Sequence, residues 1–172
     1  MMGVLEAIEA SGISTWVRES RSLFAYPMVL TLHTLGLSII VGTSVVVDLR
    51  LLGFGAHFPL KPLKTLFPIM WFGFAVNTVS GLLLLARAAT TVGISGVFWT
   101  KMALIVLSMW VLTRIKHKVF DDDLVDARPI PNDARVLAYA SILLWAGAIT
   151  AGRLMAYIGA SRPEALIGLV IK

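Results

Sequence analysis

Apolar residues fall in four long blocks along the chain, and charged residues gather in the gaps between them. No Asp, Glu, Lys or Arg occurs from Leu23 to Val47. A helix needs about 20 such residues to cross the hydrocarbon of a bilayer. The pattern predicts spans over residues 23–47, 65–88, 97–116 and 136–158. Asp48-Leu49-Arg50 reads as a polar stop, with both charges expected to pair with the next loop and fix the helix end. A proton relay is the sharper alternative, but it needs linked ionisable groups through the membrane, and mid-bundle offers only His33 and Asn77. Pro59, Pro62 and Pro68 lead into the second span, Gly93 and Gly96 into the third, and Pro129 and Pro131 into the fourth. The blocks are too long and too unalternating for barrel strands of about ten residues.

Residues 3–20 follow another rule. Val4, Leu5, Ile8 and Ile13 alternate with Glu6, Glu9, Arg18 and Glu19. This mixture predicts one short amphipathic helix on the membrane surface, with Trp16 at the interface. It lacks the basic start of a secretory signal. The tail from Pro163 is too short to span. The expected fold is all-α: a four-helix transmembrane bundle with an N-terminal interfacial helix, residues 1–172 forming a single integral membrane domain.

Composition agrees with that pattern. Of 172 residues, 58% are hydrophobic and 15% charged, and mean hydropathy is +0.85. Soluble domains sit nearer 25% charged. Cysteine is absent, which excludes disulfides, thiolate metal sites and cysteine catalysis. The net charge of +5 does not indicate nucleic acid, because the cations flank apolar blocks. Four crossings put both termini on one side, here side A. The side-B loops hold Arg50, Lys61, Lys64, Arg114, Lys116, Lys118, Arg128 and Arg135. Side A holds Arg18, Arg21, Arg162 and Lys172. The bias predicts side B in the cytoplasm and both termini outside.

Helices in lipid approach through small residues. Ser38 and Gly42, then Gly73, Ser80 and Gly81, then Ala146, Gly147, Ala148, Ala151, Gly152 and Ala156 are the candidates. The same surfaces would serve a homo-oligomer or a larger membrane complex.

Polar groups at membrane depth are functional candidates. With the side-A ends of the spans taken as level, His33 lies about 15 Å inside side A. Asn77, Thr78, Met109 and Ala148 fall near that level, and Arg87, Lys101 and Arg153 lie about 8–14 Å closer to side A. An imidazole below three cations suits haem b. Iron takes the imidazole, and the propionates take Arg or Lys. Asn77 would hold the other imidazole nitrogen, and Met109 matches the level for a sixth ligand, set against packing filler, a five-coordinate iron or a ligand from a symmetry mate. A quinone head group or an anionic lipid also suits such cations. The plainer reading has Arg87 and Lys101 snorkelling and His33 bonding a neighbouring helix. On side B, His57 and His117 with Asp121, Asp122 or Asp123 form a weaker metal candidate, set against simple ion pairing. Phosphate loops, zinc-protease helices and nucleophile elbows are missing.

Several strings run together along the chain: His33-Thr-Leu-Gly36, Asp48-Leu-Arg-Leu-Leu-Gly53, Phe98-Trp-Thr-Lys101-Met and Gly152-Arg153-Leu-Met-Ala-Tyr157. With Tyr26-Pro27, Pro68-Ile-Met-Trp71 and Ser141-Ile-Leu-Leu-Trp145, they resemble a family of small bacterial four-helix integral membrane proteins that carries no assigned activity. The resemblance covers residues from about 10 to 158 and implies a multi-pass protein of the bacterial inner membrane. A more distant likeness reaches the HemJ-type protoporphyrinogen oxidases, which bind haem b, and the CopD-type copper-resistance proteins. It implies His33 as haem ligand and Lys101 as a functional lysine. The tryptophan that the HemJ pattern carries shortly after the histidine is absent here. Three roles follow as expectations: haem-linked electron transfer or redox chemistry, a non-catalytic accessory or assembly subunit, and copper or small-solute transport.

Overall fold

A computed structural model describes residues 2–122, 125–127 and 129–160, with side chains to Met155. Asp123, Arg128, Arg162, Lys172 and the tail from Pro163 lie outside the described residues. The described residues are helical, without strands, and four helices are long and apolar enough to cross a membrane. They are α3 (Tyr26–Leu51), α4 (Leu66–Arg87), α6 (Gly96–Ile115) and α7 (Asn132–Ala160). Two short helices, α1 (Met2–Glu9) and α2 (Gly12–Glu19), precede them, and one turn, α5 (Ala89–Val92), links α4 to α6.

The expected surface helix is two helices. Ser11 breaks it in extended conformation and caps α2, its hydroxyl accepting from the Ser14 amide. Both halves dock on the side-A end of the bundle. The Ser14 hydroxyl donates to the Ala86 carbonyl at 2.9 Å. The Glu9 carboxylate accepts from the Thr90 amide at 2.9 Å and the Thr90 hydroxyl at 2.6 Å. These two donors, with Arg18 nearby, hold the Glu9 carboxyl below its usual range. A lowered carboxyl stabilises above the ordinary glutamate value of about 4.3 and ceases to do so as pH falls through the folded one. Acidification to below the ordinary glutamate range is therefore expected to loosen α1 from α5. Spin labels at Gly3 and Ile94 read that separation, and Glu9→Gln should give the loosened distance already at neutral pH. An unchanged distance in Glu9→Gln would sink the docking account.

The first span begins three residues later than expected, at Tyr26, with Pro27 in its first turn. It also runs through Asp48 and Arg50 to Leu51, so that triplet does not stop the helix. On its lipid face Thr31, Thr34 and Ser38 donate to the carbonyls of Pro27, Leu30 and Thr34 at 2.8–2.9 Å. Hydroxyls paired within their own helix leave no polar demand on the hydrocarbon. The third span continues past Ile115 as a π-helical turn, Lys116–Phe120.

The bundle consists of two hairpins, α3 with α4 and α6 with α7, joined by packing of α3 on α7. In the first hairpin the backbones meet at Gly36 and Gly73. A Cβ on Gly36 would stand 2.7 Å from the Asn77 amide nitrogen and 2.9 Å from the Gly73 carbonyl oxygen. Ser38 is exposed, and Gly42 has nothing within 4 Å. The expected small-residue contact on α3 is thus displaced to Gly36. On α7, Gly147 packs against Leu104 and Gly152 against Lys101.

The apolar core is lopsided. Ile40, Val47, Met70, Leu112, Phe120 and Trp145 anchor it, and Phe67 meets Phe120 edge-on at 5.1 Å. All of these belong to the side-B half. Residues 96–107 of α6, on the side-A half, include no buried residue. The side-B loops close over the core through polar clasps. Arg50 donates to the Phe58 and Ala56 carbonyls, and the Asp126 carboxylate accepts from the Leu60 and Lys61 amides.

Candidate functional site

His33 sits about two turns into α3, one turn before Gly36. Its Nδ1 lies 3.0 Å from the backbone carbonyl of Asn77 and 3.2 Å from the Ser80 hydroxyl. The Ser80 hydroxyl itself donates to the Val76 carbonyl at 2.6 Å. A carbonyl only accepts, so Nδ1 carries the proton, and when the ring is neutral its lone pair lies on Nε2. Gly81 makes room for the ring, since a Cβ there would meet His33 Cε1 at 3.0 Å. The Asn77 side chain has another task than expected. Its amide donates to the backbone carbonyl of His33 at 2.8 Å. Asn77 thus grips His33 twice, by main chain on the ring and by side chain on the helix.

The second hairpin brings Lys101 to the same level. Ser44 on α3 meets Ser141 on α7 at 3.2 Å. Eleven residues toward side A from each lie His33 and Gly152, so these two are level. A Cβ on Gly152 would stand 3.6 Å from Lys101 Nζ. Lys101 is therefore level with His33, not nearer to side A. The expected ruler had its zero at Leu23, which belongs to a turn ahead of the helix.

Met109 moves out of the site for the same reason. It lies eight residues beyond Lys101 toward side B, about 12 Å along α6, and is buried in the apolar core. Ala148 is likewise core. Arg87 stays on the side-A flank, half-buried, its guanidinium 4.2 Å from the centre of the Tyr26 ring. Arg153 follows Gly152 by about 100° around α7 and is exposed. Of the six expected site residues, His33 and Asn77 are in contact, and Lys101 stands level with them on the opposite hairpin. Arg87 and Arg153 stand nearby on side A, and Met109 does not join them.

The side-B histidines separate. His117 Nδ1 pairs with Asp121 at 2.6 Å, and Lys116 reaches the same carboxylate at 3.7 Å. The bond to His117, then the charges of Lys116 and its neighbours, lower the Asp121 carboxyl from its ordinary value. His57 leans on the Phe58 ring at 4.2 Å. Among the described residues no three His, Cys, Asp or Glu side chains gather as metal ligands.

Asp48, expected to pair with a loop at the helix end, is buried instead. Asp48 has no exposed surface and no ion pair among the described residues; the loop contacts belong to Arg50. Its Oδ2 lies 3.4 Å from the Ser44 hydroxyl, and Oδ1 has no partner. The signal was available in the spacing, since Ser44 and Asp48 share a helix face one turn apart, as Ser141 and Trp145 do. No model of a known protein family, no curated protein and no solved structure matches the chain.

Proposed function

We propose that this four-helix membrane protein binds haem b in the side-A half of the bundle, with Nε2 of His33 holding the iron. The observation that carries the reading is the imidazole held at Nδ1 by the Asn77 carbonyl. That bond fixes the tautomer that leaves Nε2 bare and makes it a better donor, as partners of metal-bound histidines do. The residues fit the group on three counts. The ring is half-buried rather than sealed in the core. Lys101 stands level with it on the opposite hairpin. Arg87 and Arg153 lie on the side-A flank, where carboxylates reach the interface.

Bound haem would supply one-electron chemistry at its iron. The chain's own part is to hold and orient. Asn77 and Ser80 set the imidazole plane, Gly81 admits the ring, and Lys101 offers a cation to a propionate. Met109 has no role in this reading, so Met109→Leu should leave the ligand field untouched.

The test is a visible spectrum of the detergent-purified protein, oxidised and dithionite-reduced, with a pyridine haemochrome assay. A Soret band with reduced α and β bands, near one haem per chain, is expected. A colourless protein after expression with ample haem overturns the reading and leaves an accessory subunit of a larger complex as the better account.

A further inference from the structure

We propose that Asp48 is a membrane-embedded proton-binding site, its carboxyl group holding an exchangeable proton within the Ser44–Ser141 cluster of the side-B half. Three observations carry this. The side chain has no exposed surface, and neither has that of Ser44 or Ser141. The hydroxyls form a short chain, Asp48 Oδ2 to Ser44 at 3.4 Å and Ser44 to Ser141 at 3.2 Å. Asp48 Oδ1 and the indole Nε1 of Trp145, one turn beyond Ser141, are both buried without a partner.

A bare carboxylate in such surroundings needs a counter-charge, and no basic side chain among the described residues supplies one. On its own helix Arg50 is committed to the Phe58 and Ala56 carbonyls. On α6 and the π turn, Arg114 lies over the Trp110 ring, Lys116 and His117 serve Asp121, and Lys118 serves Asp133. Lys61, Lys64 and Arg135 are exposed. A metal cation is the poorer occupant. The cluster offers one carboxylate and two hydroxyls, short of the six to eight oxygens of a hard-cation cage, and the Trp145 N–H seeks an acceptor.

A proton satisfies the chain in either state. In the acid form Asp48 Oδ2 donates to Ser44, which donates to Ser141. In the anionic form the chain reverses and Ser44 donates to Asp48. One proton therefore turns two hydroxyls. Asp48 lies one turn from the side-B end of α3, so hydronium on that side gives up its proton to the carboxylate and leaves as water.

The experiment is infrared spectroscopy of the full chain in lipid at neutral pH. A protonated-acid carbonyl stretch is expected, shifted in D2O and absent from Asp48→Asn. Dicyclohexylcarbodiimide, which attacks protonated carboxyls in apolar surroundings, should label Asp48, with the site read by peptide mass. Sodium or lithium at fixed pH should change neither result. Absence of the acid band overturns the proposal, and so does its removal by sodium, which would mark a cation site. If Asp48→Asn fails to fold, the band and the label in the unaltered chain decide.

Discussion

Gly36→Leu is expected to unfold the first hairpin in mild detergent, with a drop in midpoint temperature far larger than that of any other glycine substitution on α3. The new Cβ alone would lie 2.7 Å from a backbone nitrogen and 2.9 Å from a backbone oxygen of α4. Neither atom belongs to a side chain that can swing aside. Overpacking typically costs about 1–3 kcal/mol, occasionally more. A clash against backbone belongs at or above the top of that range. Separation of the helices would also pull the Asn77 carbonyl from His33, so any ligand at the imidazole should leave with the fold. Gly42→Leu is the control. It sits on the same helix with nothing within 4 Å and should be tolerated. Thermal unfolding of both variants decides, and equal losses would refute the Gly36–Gly73 contact as the seam.

The second large effect concerns the imidazole. His33→Ala is expected to lose haem more than tenfold, the equivalent of at least about 1.4 kcal/mol. The helices should persist by circular dichroism. The truncation leaves a space beside Gly81, so free imidazole added to His33→Ala should restore the Soret band. Rescue separates a lost ligand from a lost fold, which a spectrum of the variant alone does not do. Retention of a full Soret band in His33→Ala would eliminate His33 as the ligand.

The architecture was readable because lipid enforces a coarse rule that runs of apolar residues obey. Four spans, their order and the loops between them follow from it. Depth and rotation do not. The pairing of His33 with Asn77 was anticipated in level, but the bond runs through a backbone carbonyl, an atom every residue shares and no pattern flags. The apolar pattern sets Lys101 too shallow and Met109 level because the exposed turn at Leu23 counts as apolar without being helical. Asp48 misled in the opposite direction. A charge at the end of a hydrophobic run ordinarily marks the water boundary. Here α7 covers it with a matching serine, and complementarity between helices lies outside the reach of either helix's own sequence.

The uneven core has a consequence for how any ligand arrives. With the shared apolar core set toward side B, the hairpins would part more easily at the other end, toward the acyl chains of one leaflet rather than toward water. A greasy anion with a charged rim would first dissolve in that leaflet and then drift laterally to His33 and Lys101. Its apparent affinity would then follow its mole fraction in the lipid, and dilution with empty vesicles would strip the site at constant aqueous concentration.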